Sequence, residues 1–175
     1  MRIPRPRPDE YVPYFGTYIS KVPEGDVLEL LGAQGAETQR LLRGLTPTQA
    51  MHRYAPGKWS IKEVVGHVAD AERVFSYRAL RFARGDDTPL TSFDENKWMP
   101  FCGFDARSLS DLADELESVR RATLSLFRTF DATALERRGV ASGNGVSVRA
   151  LAYIIAGHER HHVGILRERY LSQQA

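Results

Sequence analysis

The stretch "YIIAGHERHHVGILRERY", residues 153–170, places three of the chain's five histidines in a segment whose apolar residues recur with helical spacing. At about 100° per residue, His158 and His162 lie on the same face of this helix, whereas His161 falls at its edge. Two imidazoles on an apolar face must each find a partner, because burying a polar group alone is costly. A shared metal ion and ordinary hydrogen-bonded packing both meet that requirement. The apolar face consists of Leu151, Ile154, Ile155 and Ile165.

The letters HERHH, residues 158–162, also match the HExxH signature of zinc proteases. In such proteases the third zinc ligand lies downstream of the motif, in a domain that contains strands. Here thirteen residues follow His162, none of them is histidine, and the sequence predicts no sheet. The protease interpretation is therefore disfavoured, and a third ligand must come from elsewhere in the chain.

His52 and His67 are the two candidates for that third ligand. His52 lies in a connection, whereas His67 lies on a helix that the capping-box pattern "SIKE", Ser60 to Glu63, opens and that runs to about Arg84. Metal sites in bundles are built from side chains of facing helices, which favours His67. The neighbouring Gly66 removes side-chain bulk and could allow close approach of another helix. The apolar stripe beside His67 consists of Val64, Val68, Ala71 and Phe75.

Two further helices, and the start of the histidine helix, are predicted from caps and periodicity, while strand patterns are scarce. Asp26 caps a helix that continues to about Leu45, Ser108 begins one with apolar residues three and four apart, and Ser147 begins the histidine helix, which ends near Leu171. The predicted fold is an all-α four-helix bundle with long connections, in one domain over residues 1–175. Residues 91–107 are predicted to form an irregular loop, and "VASGNGVS", residues 140–147, a turn.

The first 25 residues are predicted to form an extended, proline-rich arm. Pro4, Pro6 and Pro8 favour polyproline-like backbone geometry. Such an arm lies across its own domain or across a neighbouring subunit. Together with the long apolar helices, it leads us to expect a homodimer.

Composition excludes several classes of protein. The 24 basic and 22 acidic residues leave a net charge of +2, and no basic stripe indicates a nucleic-acid partner. The one cysteine, Cys102, excludes an internal disulfide and is read as a small reduced apolar residue. No apolar stretch approaches the ~20 residues that span a bilayer, and the amino terminus lacks the pattern of a secretory signal. A cytoplasmic protein without a membrane partner is expected.

The segment "GKWSIKEVVGHVADAERVFSYRALRFARGD", together with "GHERHHVGIL", resembles the DinB-like, YfiT-like superfamily of metal-binding four-helix bundles. The likeness extends from about "VPEGDVLELL" to Arg169, and nothing carries over to the amino-terminal arm. In that family a histidine of the second helix and two of the fourth bind a divalent metal. The resemblance implies that His67, His158 and His162 are the ligands here.

Three imidazoles leave coordination positions open, unlike a closed four-ligand structural site. Zinc, nickel, iron or manganese could occupy such a site. The open ion admits two chemistries on a small-molecule substrate: hydrolysis by activated water, or transfer of a low-molecular-weight thiol. The resemblance favours thiol transfer over hydrolysis, because characterised relatives use bacillithiol or mycothiol. A metal-containing bundle without catalysis is the further alternative.

Other polar residues near His67 are candidates for catalytic roles. Asp70 is a candidate proton carrier, and so is Glu72, while Arg78 could bind a substrate carboxylate through two hydrogen bonds. Asp70, Glu63 and Glu159 could each orient an imidazole. Glu63 is already explained by capping, however, and Glu159 is expected to be solvated. Aromatic residues of the following loop could wall a pocket or belong to the core: Trp98, Phe101 and Phe104.

Overall fold

The computed structural model describes residues 2–172, and within that range it contains eight α-helices and one two-stranded hairpin. The long helices α2, α4, α6 and α8 form a four-helix bundle, which confirms the predicted all-α class. The β-structure of the described residues is one two-stranded sheet and an isolated β-bridge between Leu90 and Ala141. The elements are α1 (Pro13–Ile19), α2 (Val27–Arg43), α3 (Pro47–Ala50), α4 (Ile61–Ala83), α5 (Glu95–Cys102), α6 (Leu109–Phe127), α7 (Ala132–Glu136), β1 (Arg138–Ala141), β2 (Asn144–Ser147) and α8 (Val148–Ile165).

The predicted caps open all four long helices. The side chains of Asp26, Ser60, Ser108 and Ser147 each accept a hydrogen bond from a backbone N–H in the first turn of the helix that follows. At Ser60 the bonding is reciprocal, because the Glu63 carboxylate accepts from the Ser60 backbone N–H. These polar starts are encoded locally, which is why the sequence predicts them.

Around the bundle the helices follow the order α2, α6, α4, α8, because α2 and α4 both pack against α6 and α8. The two long helices that come first in the chain therefore lie diagonally opposite each other. Helix α8 is the most enclosed, since every residue from 148 to 159 is buried and α1 covers its outer side. Among the described residues, no helix combines the length and the hydropathy needed to cross a membrane.

One buried arginine connects all four long helices. Arg120 on α6 donates from Nε and Nη2 to the two carboxylate oxygens of Glu72 on α4, at 2.9 and 2.8 Å. Its Nη1 donates to the Leu31 carbonyl of α2, and its Nη2 also donates to Glu159 of α8, both at 2.8 Å. Burial opposes the charge, but the two carboxylates raise the pKa of Arg120 above its usual value. We call Arg120, Glu72 and Glu159 the central ion cluster.

Glu159 is buried, so the expectation that it is solvated is wrong. Its side chain is 2% exposed and accepts hydrogen bonds from Thr38, at 2.7 Å, and from Gln34, both on α2. The sequence gives no sign of this, because an acidic residue on the polar side of a helix is usually solvated. A buried arginine on a distant helix reverses that expectation.

The amino-terminal arm is extended only in part. Residues 13–19 form α1, which packs against α8, and the prediction of an extended segment over residues 1–25 is wrong there. The arm lies on its own domain: Ile3 is buried, and Arg5 donates to the carbonyls of Ile19 and Val22 at 3.0 and 2.6 Å. Buried Glu10 accepts from Arg149 Nε at 2.7 Å. Residue 1 lies outside the described range.

Two connections that were predicted to be irregular are regular. Residues 91–107 contain α5, which Asp94 caps, and residues 138–147 form the β1–β2 hairpin. The hairpin turns on Ser142 and Gly143, which both have positive φ angles, of 55° and 75°. That geometry matches the right-handed twist of a hairpin, but a serine at the first turn position is a weak signal in a sequence.

Replacement of Arg120 by alanine should lower the free energy of unfolding by about 3–5 kcal/mol, because it leaves Glu72 and Glu159 buried without a counter-charge. Urea denaturation followed by circular dichroism measures this change. Arg43→Ala is the matched control: Arg43 is half exposed and pairs with Asp114 at the surface, so its loss should cost no more than about 1 kcal/mol. Equal small losses in both variants would contradict the structural role of the cluster.

Candidate metal centre

Three imidazoles converge between α4 and α8. The Nε2 atom of His158 lies 3.2 Å from Nε2 of His67 and 3.2 Å from Nε2 of His162. All three ligand atoms lie within 4.8 Å of one another. The four-residue spacing on α8 and the facing position on α4 produce this cluster, as the sequence predicts. The role of these histidines as metal ligands stays a prediction.

The nitrogen spacing fits one shared ion. With metal–nitrogen bonds of about 2.0–2.1 Å, two ligands of a tetrahedral or octahedral ion lie about 2.9–3.4 Å apart. Hydrogen bonding accounts less well for the cluster, because Nε2 of His158 faces two other ring nitrogens and offers either one proton or one lone pair. Three neutral ring nitrogens within 4.8 Å of one another are a donor set that one cation can share.

The environment keeps these imidazoles neutral. Burial lowers the pKa of His67 to about 4 and that of His162 to about 3, and it holds the pKa of His158 well below its usual value. The neighbouring histidines add to the effect at His158 and His162. Neutral imidazole is the form that binds a metal, so all three side chains are in the binding form at pH 7.

The other two histidines lie outside the cluster. His161 is half-buried, with its ring centroid 5.4 Å from that of Tyr18, so it lies at the margin as expected. His52 lies beside Tyr170, at 6.1 Å between ring centroids. The structure therefore agrees with the choice of His67 over His52 as the partner of the α8 pair.

The cluster forms one end of a cavity of about 240 Å³. Its walls are mostly aromatic, and they come from the arm, from α4 and from the segment before α5. Trp59 lies 4.9 Å from His67, and Tyr18 lies 5.3 Å from His158, measured between ring centroids. Besides the three histidines, the lining residues are Tyr14, Phe15, Tyr18, Trp59, Phe75, Arg78, Phe93, Glu95 and Ser142.

Arg78 lines this cavity, but Asp70 does not. The Nη2 atom of Arg78 donates to the Thr91 carbonyl at 3.2 Å and to Ser142 Oγ at 3.0 Å, and burial lowers the pKa of its guanidinium. Asp70 is on α4 but pairs with Arg73 at 3.1 Å, outside the cavity. The two candidate catalytic residues are thus not brought together.

No carboxylate named from the sequence hydrogen-bonds to the three imidazoles. Glu63 accepts from Ser60 and pairs with Arg53, while Glu72 and Glu159 belong to the central ion cluster. The orientation of the imidazoles instead comes from packing against the aromatic rings around them. The expectation that Glu159 orients an imidazole fails because its side chain points towards α2 and α6.

The aromatic residues named from the sequence are close to the cavity but do not line it. Phe101 is 89% exposed, and Trp98 stacks on Phe93 at 5.1 Å between ring centroids. Phe104 is buried against Gly66, where an added Cβ atom would lie 2.5 Å from the ring. Gly66 therefore does permit a close approach, by the ring of Phe104 at the start of a short 3-10 helix and not by a long helix of the bundle.

Sequence reasoning missed the residues that tertiary folding brings to the cavity, chiefly Tyr14 and Tyr18 of α1 and Ser142 of the hairpin turn. The aromatic pattern of residues 11–18 was a usable signal, but the prolines before it suggested an extended chain. For Ser142 no local signal exists, since its place depends on how the hairpin packs beside α4.

Gly157 lets α1 come close to the metal cluster. A Cβ atom added at Gly157 would lie 2.1 Å from the carbonyl oxygen of Tyr18, so the backbones of α1 and α8 touch at this point. This contact places the Tyr18 ring against His158, the next residue on α8. The glycine thus connects the arm to the site.

Gly157→Ala should displace α1 and lower the free energy of unfolding by about 1–3 kcal/mol, because an inserted methyl group overpacks the contact. It should also weaken zinc binding, which competition with a chromogenic chelator measures. Gly164→Ala, on the same helix with nothing near the added Cβ, is the control and should raise stability slightly. A Gly157→Ala protein that matches this control would contradict the contact.

Comparison with known proteins agrees with the fold. A protein of Oceanobacillus iheyensis, provisionally named a metal-dependent hydrolase, is 27% identical over 154 residues, covering 84% of this chain and 87% of the relative. A Bacillus licheniformis protein with the same provisional name is 29% identical over 120 residues, covering 65% of this chain and 66% of the relative.

Two solved structures share the fold. YfiT from Bacillus subtilis, described provisionally as a metal-dependent hydrolase with an unusual four-helix bundle topology, superposes with a TM-score of 0.75 at 19% identity, covering 98% of this chain and 94% of that one. A mycothiol-dependent maleylpyruvate isomerase gives a TM-score of 0.64 at 16% identity, covering 83% of this chain and 61% of that one. The sequence itself matches the DinB superfamily over residues 30–166, and the chain therefore belongs to this family.

Proposed function

We propose that this protein binds one divalent ion through His67, His158 and His162 and transfers a low-molecular-weight thiol to an electrophilic small molecule. The observation that carries the proposal is the convergence of three neutral imidazole nitrogens in the wall of a largely aromatic cavity. Hydrolysis at the same centre is the alternative, which the provisional names of the relatives favour.

The donor set suits an ion with open coordination positions. Three imidazoles are the protein ligands available at this point among residues 2–172, and the cavity lies beside them. When bound, zinc, nickel, iron or manganese would supply positive charge that makes a thiol or a water molecule more acidic. The protein's own contribution is to hold the imidazoles neutral and converging and to surround them with apolar side chains.

The acidic residues around the centre favour thiol transfer over hydrolysis. Hydrolysis by activated water commonly needs a carboxylate that moves a proton. Glu72 and Glu159 are held by Arg120, Asp70 pairs with Arg73, and the one carboxylate among the lining residues is that of Glu95, which is half-buried. A thiol depends less on such a carboxylate to lose its proton, because its pKa already lies close to neutral pH.

The predicted homodimer remains a proposal. The arm lies on its own domain, so it gives the dimer less support than the sequence suggested. An open and largely apolar groove between α4 and α6, which includes Tyr77, Leu80 and Leu126, is the surface that a second copy could cover. Light scattering at micromolar concentration should give twice the mass of 19.7 kDa, and a monomer alone would remove this proposal.

Purified protein should contain one first-row divalent ion per chain, measured by elemental analysis. His67→Ala, His158→Ala and His162→Ala should each lose most of the metal, because two imidazoles hold a divalent ion far more weakly than three. His161→Ala is the matched control on the same helix and should retain it, since His161 lies outside the cluster. Full retention of metal by His158→Ala would refute the assignment.

The choice between the two chemistries is tested in one set of assays. Addition of mycothiol or bacillithiol to the cobalt-substituted protein should produce a sulfur-to-metal charge-transfer band. Coupling of that thiol to an electrophile should be accelerated, and His162→Ala should abolish the acceleration. Ester, amide and phosphate hydrolysis are measured beside it. Metal-dependent hydrolysis, together with no charge-transfer band on addition of thiol, would show that the protein is a hydrolase. If neither reaction depends on the metal, the metal has a structural role only.

A further inference from the structure

The end of the cavity at Arg78 has the character of a binding site for an anion. We propose that Arg78 binds a carboxylate of the substrate, so that the molecule transformed at the histidine cluster is a small carboxylic acid. This inference rests on the proposed function for the reaction, but the carboxylate site itself is defined by Arg78 and its surroundings.

Arg78 differs from the other buried arginines of the described chain in having no acidic partner. Arg120 is paired with Glu72 and Glu159, and Arg149 is paired with Glu10. Arg78 is 5% exposed and makes no ion pair with any residue from 2 to 172. A buried charge is costly unless it is compensated, so a ligand anion is the natural counter-charge.

The free donors of Arg78 suit a carboxylate. Its two protein acceptors, the Thr91 carbonyl and Ser142 Oγ, both bind Nη2. Within the described chain, Nε and Nη1 have no acceptor, and the side chain lines the cavity. Nη1 lies beside Cδ, so its N–H groups and the Nε N–H point in different directions, and a carboxylate can accept a charge-assisted hydrogen bond from either atom.

The surroundings fix the guanidinium in this place. Its central carbon lies 5.9 Å from the ring centroid of Phe75 and 5.6 Å from that of Phe93. The positive φ angle of Ser142 at the hairpin turn brings its hydroxyl to Nη2. An arginine held between two aromatic rings and a turn loses little further freedom when an anion binds.

The distance to the histidines sets the size of the ligand. The ring of Phe75 lies 5.9 Å from the His158 ring as well as 5.9 Å from the Arg78 guanidinium carbon, so the two groups are at most about 12 Å apart. His67 and Arg78 are eleven residues apart on α4, close to three helical turns, and thus share a face. This bound limits the ligand to a small molecule whose carboxylate lies on Arg78 and whose reacting atom lies at the histidine cluster.

Glu95 is the remaining charged residue that lines the cavity. It is half-buried on α5 and near Tyr18, whose pKa is raised mainly by burial and the bond to Tyr14, and slightly by Glu95. Water weakens its repulsion of an anion at Arg78. Its charge favours a ligand with one carboxylate over a ligand with two.

Equilibrium binding of potassium butyrate, with uncharged butyramide as the comparison, tests the carboxylate site. Trp59 lines the cavity, so its fluorescence reports binding once the only other tryptophan is removed by Trp98→Phe. Both the zinc-loaded and the metal-free protein are titrated, because a carboxylate could also bind zinc directly. Butyrate should bind at least about tenfold more tightly than butyramide in both forms.

Arg78→Met should weaken butyrate binding at least about tenfold, and Arg78→Lys several-fold, because lysine keeps the charge but its flexible ammonium is not held in place as the planar guanidinium is. Arg81→Met, which removes a surface arginine one turn further along α4, should leave affinity unchanged. Should Arg78→Met fail to fold, Arg78→Lys and the butyramide comparison still decide the matter. Equal binding of butyrate and butyramide, or equal affinity in the Arg78 variants, would overturn the proposal.

The carboxylate can belong to the electrophile or to the thiol, and a competition assay separates the two. Because 3-mercaptopropionate is itself a small carboxylate, it should displace butyrate with or without zinc; if zinc tightens its binding at least about tenfold more than it tightens the binding of butyrate, the thiol carries the carboxylate. If zinc changes the two affinities equally, the electrophile carries the carboxylate, and a failure of 3-mercaptopropionate to displace butyrate in either form would overturn the carboxylate site. The protein could also bind butyrate through Arg78 but bind no metal. That result would refute the proposed reaction and still support the carboxylate site.

Discussion

The contact of Arg120 with all four long helices is the constraint on which the rest of the structure depends. One guanidinium donates to a carboxylate of α4, a carbonyl of α2 and a carboxylate of α8, and itself belongs to α6. Apolar packing alone tolerates small rotations of a helix, whereas a buried ion cluster does not, because each displaced charge loses its partner. Glu72 and Glu159 together therefore fix the rotation of α4 and α8 about their axes.

That fixed rotation explains how the histidine cluster is held without carboxylate partners. His158 and Glu159 are neighbours on α8 and point about 100° apart, so seating Glu159 against Arg120 turns His158 towards α4 and the cavity. On the same helix, Gly157 admits the arm, whose Tyr18 closes the cavity beside His158. Three successive residues of α8 thus carry out three different tasks: close packing, metal-site geometry and the internal ion cluster.

The sequence predicts the parts of this arrangement that are encoded locally. Ser60 and its reciprocal bond, the shared face of His158 and His162, and the choice of His67 all follow from helix periodicity and capping. The buried state of Glu159 does not follow, because it depends on an arginine 39 residues earlier in the chain. The place of Ser142 likewise depends on the packing of a hairpin beside α4. Residues whose environment is made by distant segments are the ones that local patterns miss.

The central claim is that three imidazoles from two helices hold one ion with positions left open. X-ray absorption at the zinc edge of the zinc-loaded protein tests it most directly. The account predicts three imidazole nitrogens at about 2.0–2.1 Å, with their characteristic outer-shell scattering, and at least one further light-atom ligand. It also predicts that one imidazole disappears from any zinc that remains in His67→Ala. A spectrum without imidazole scattering, or one unchanged in His67→Ala, would contradict the account.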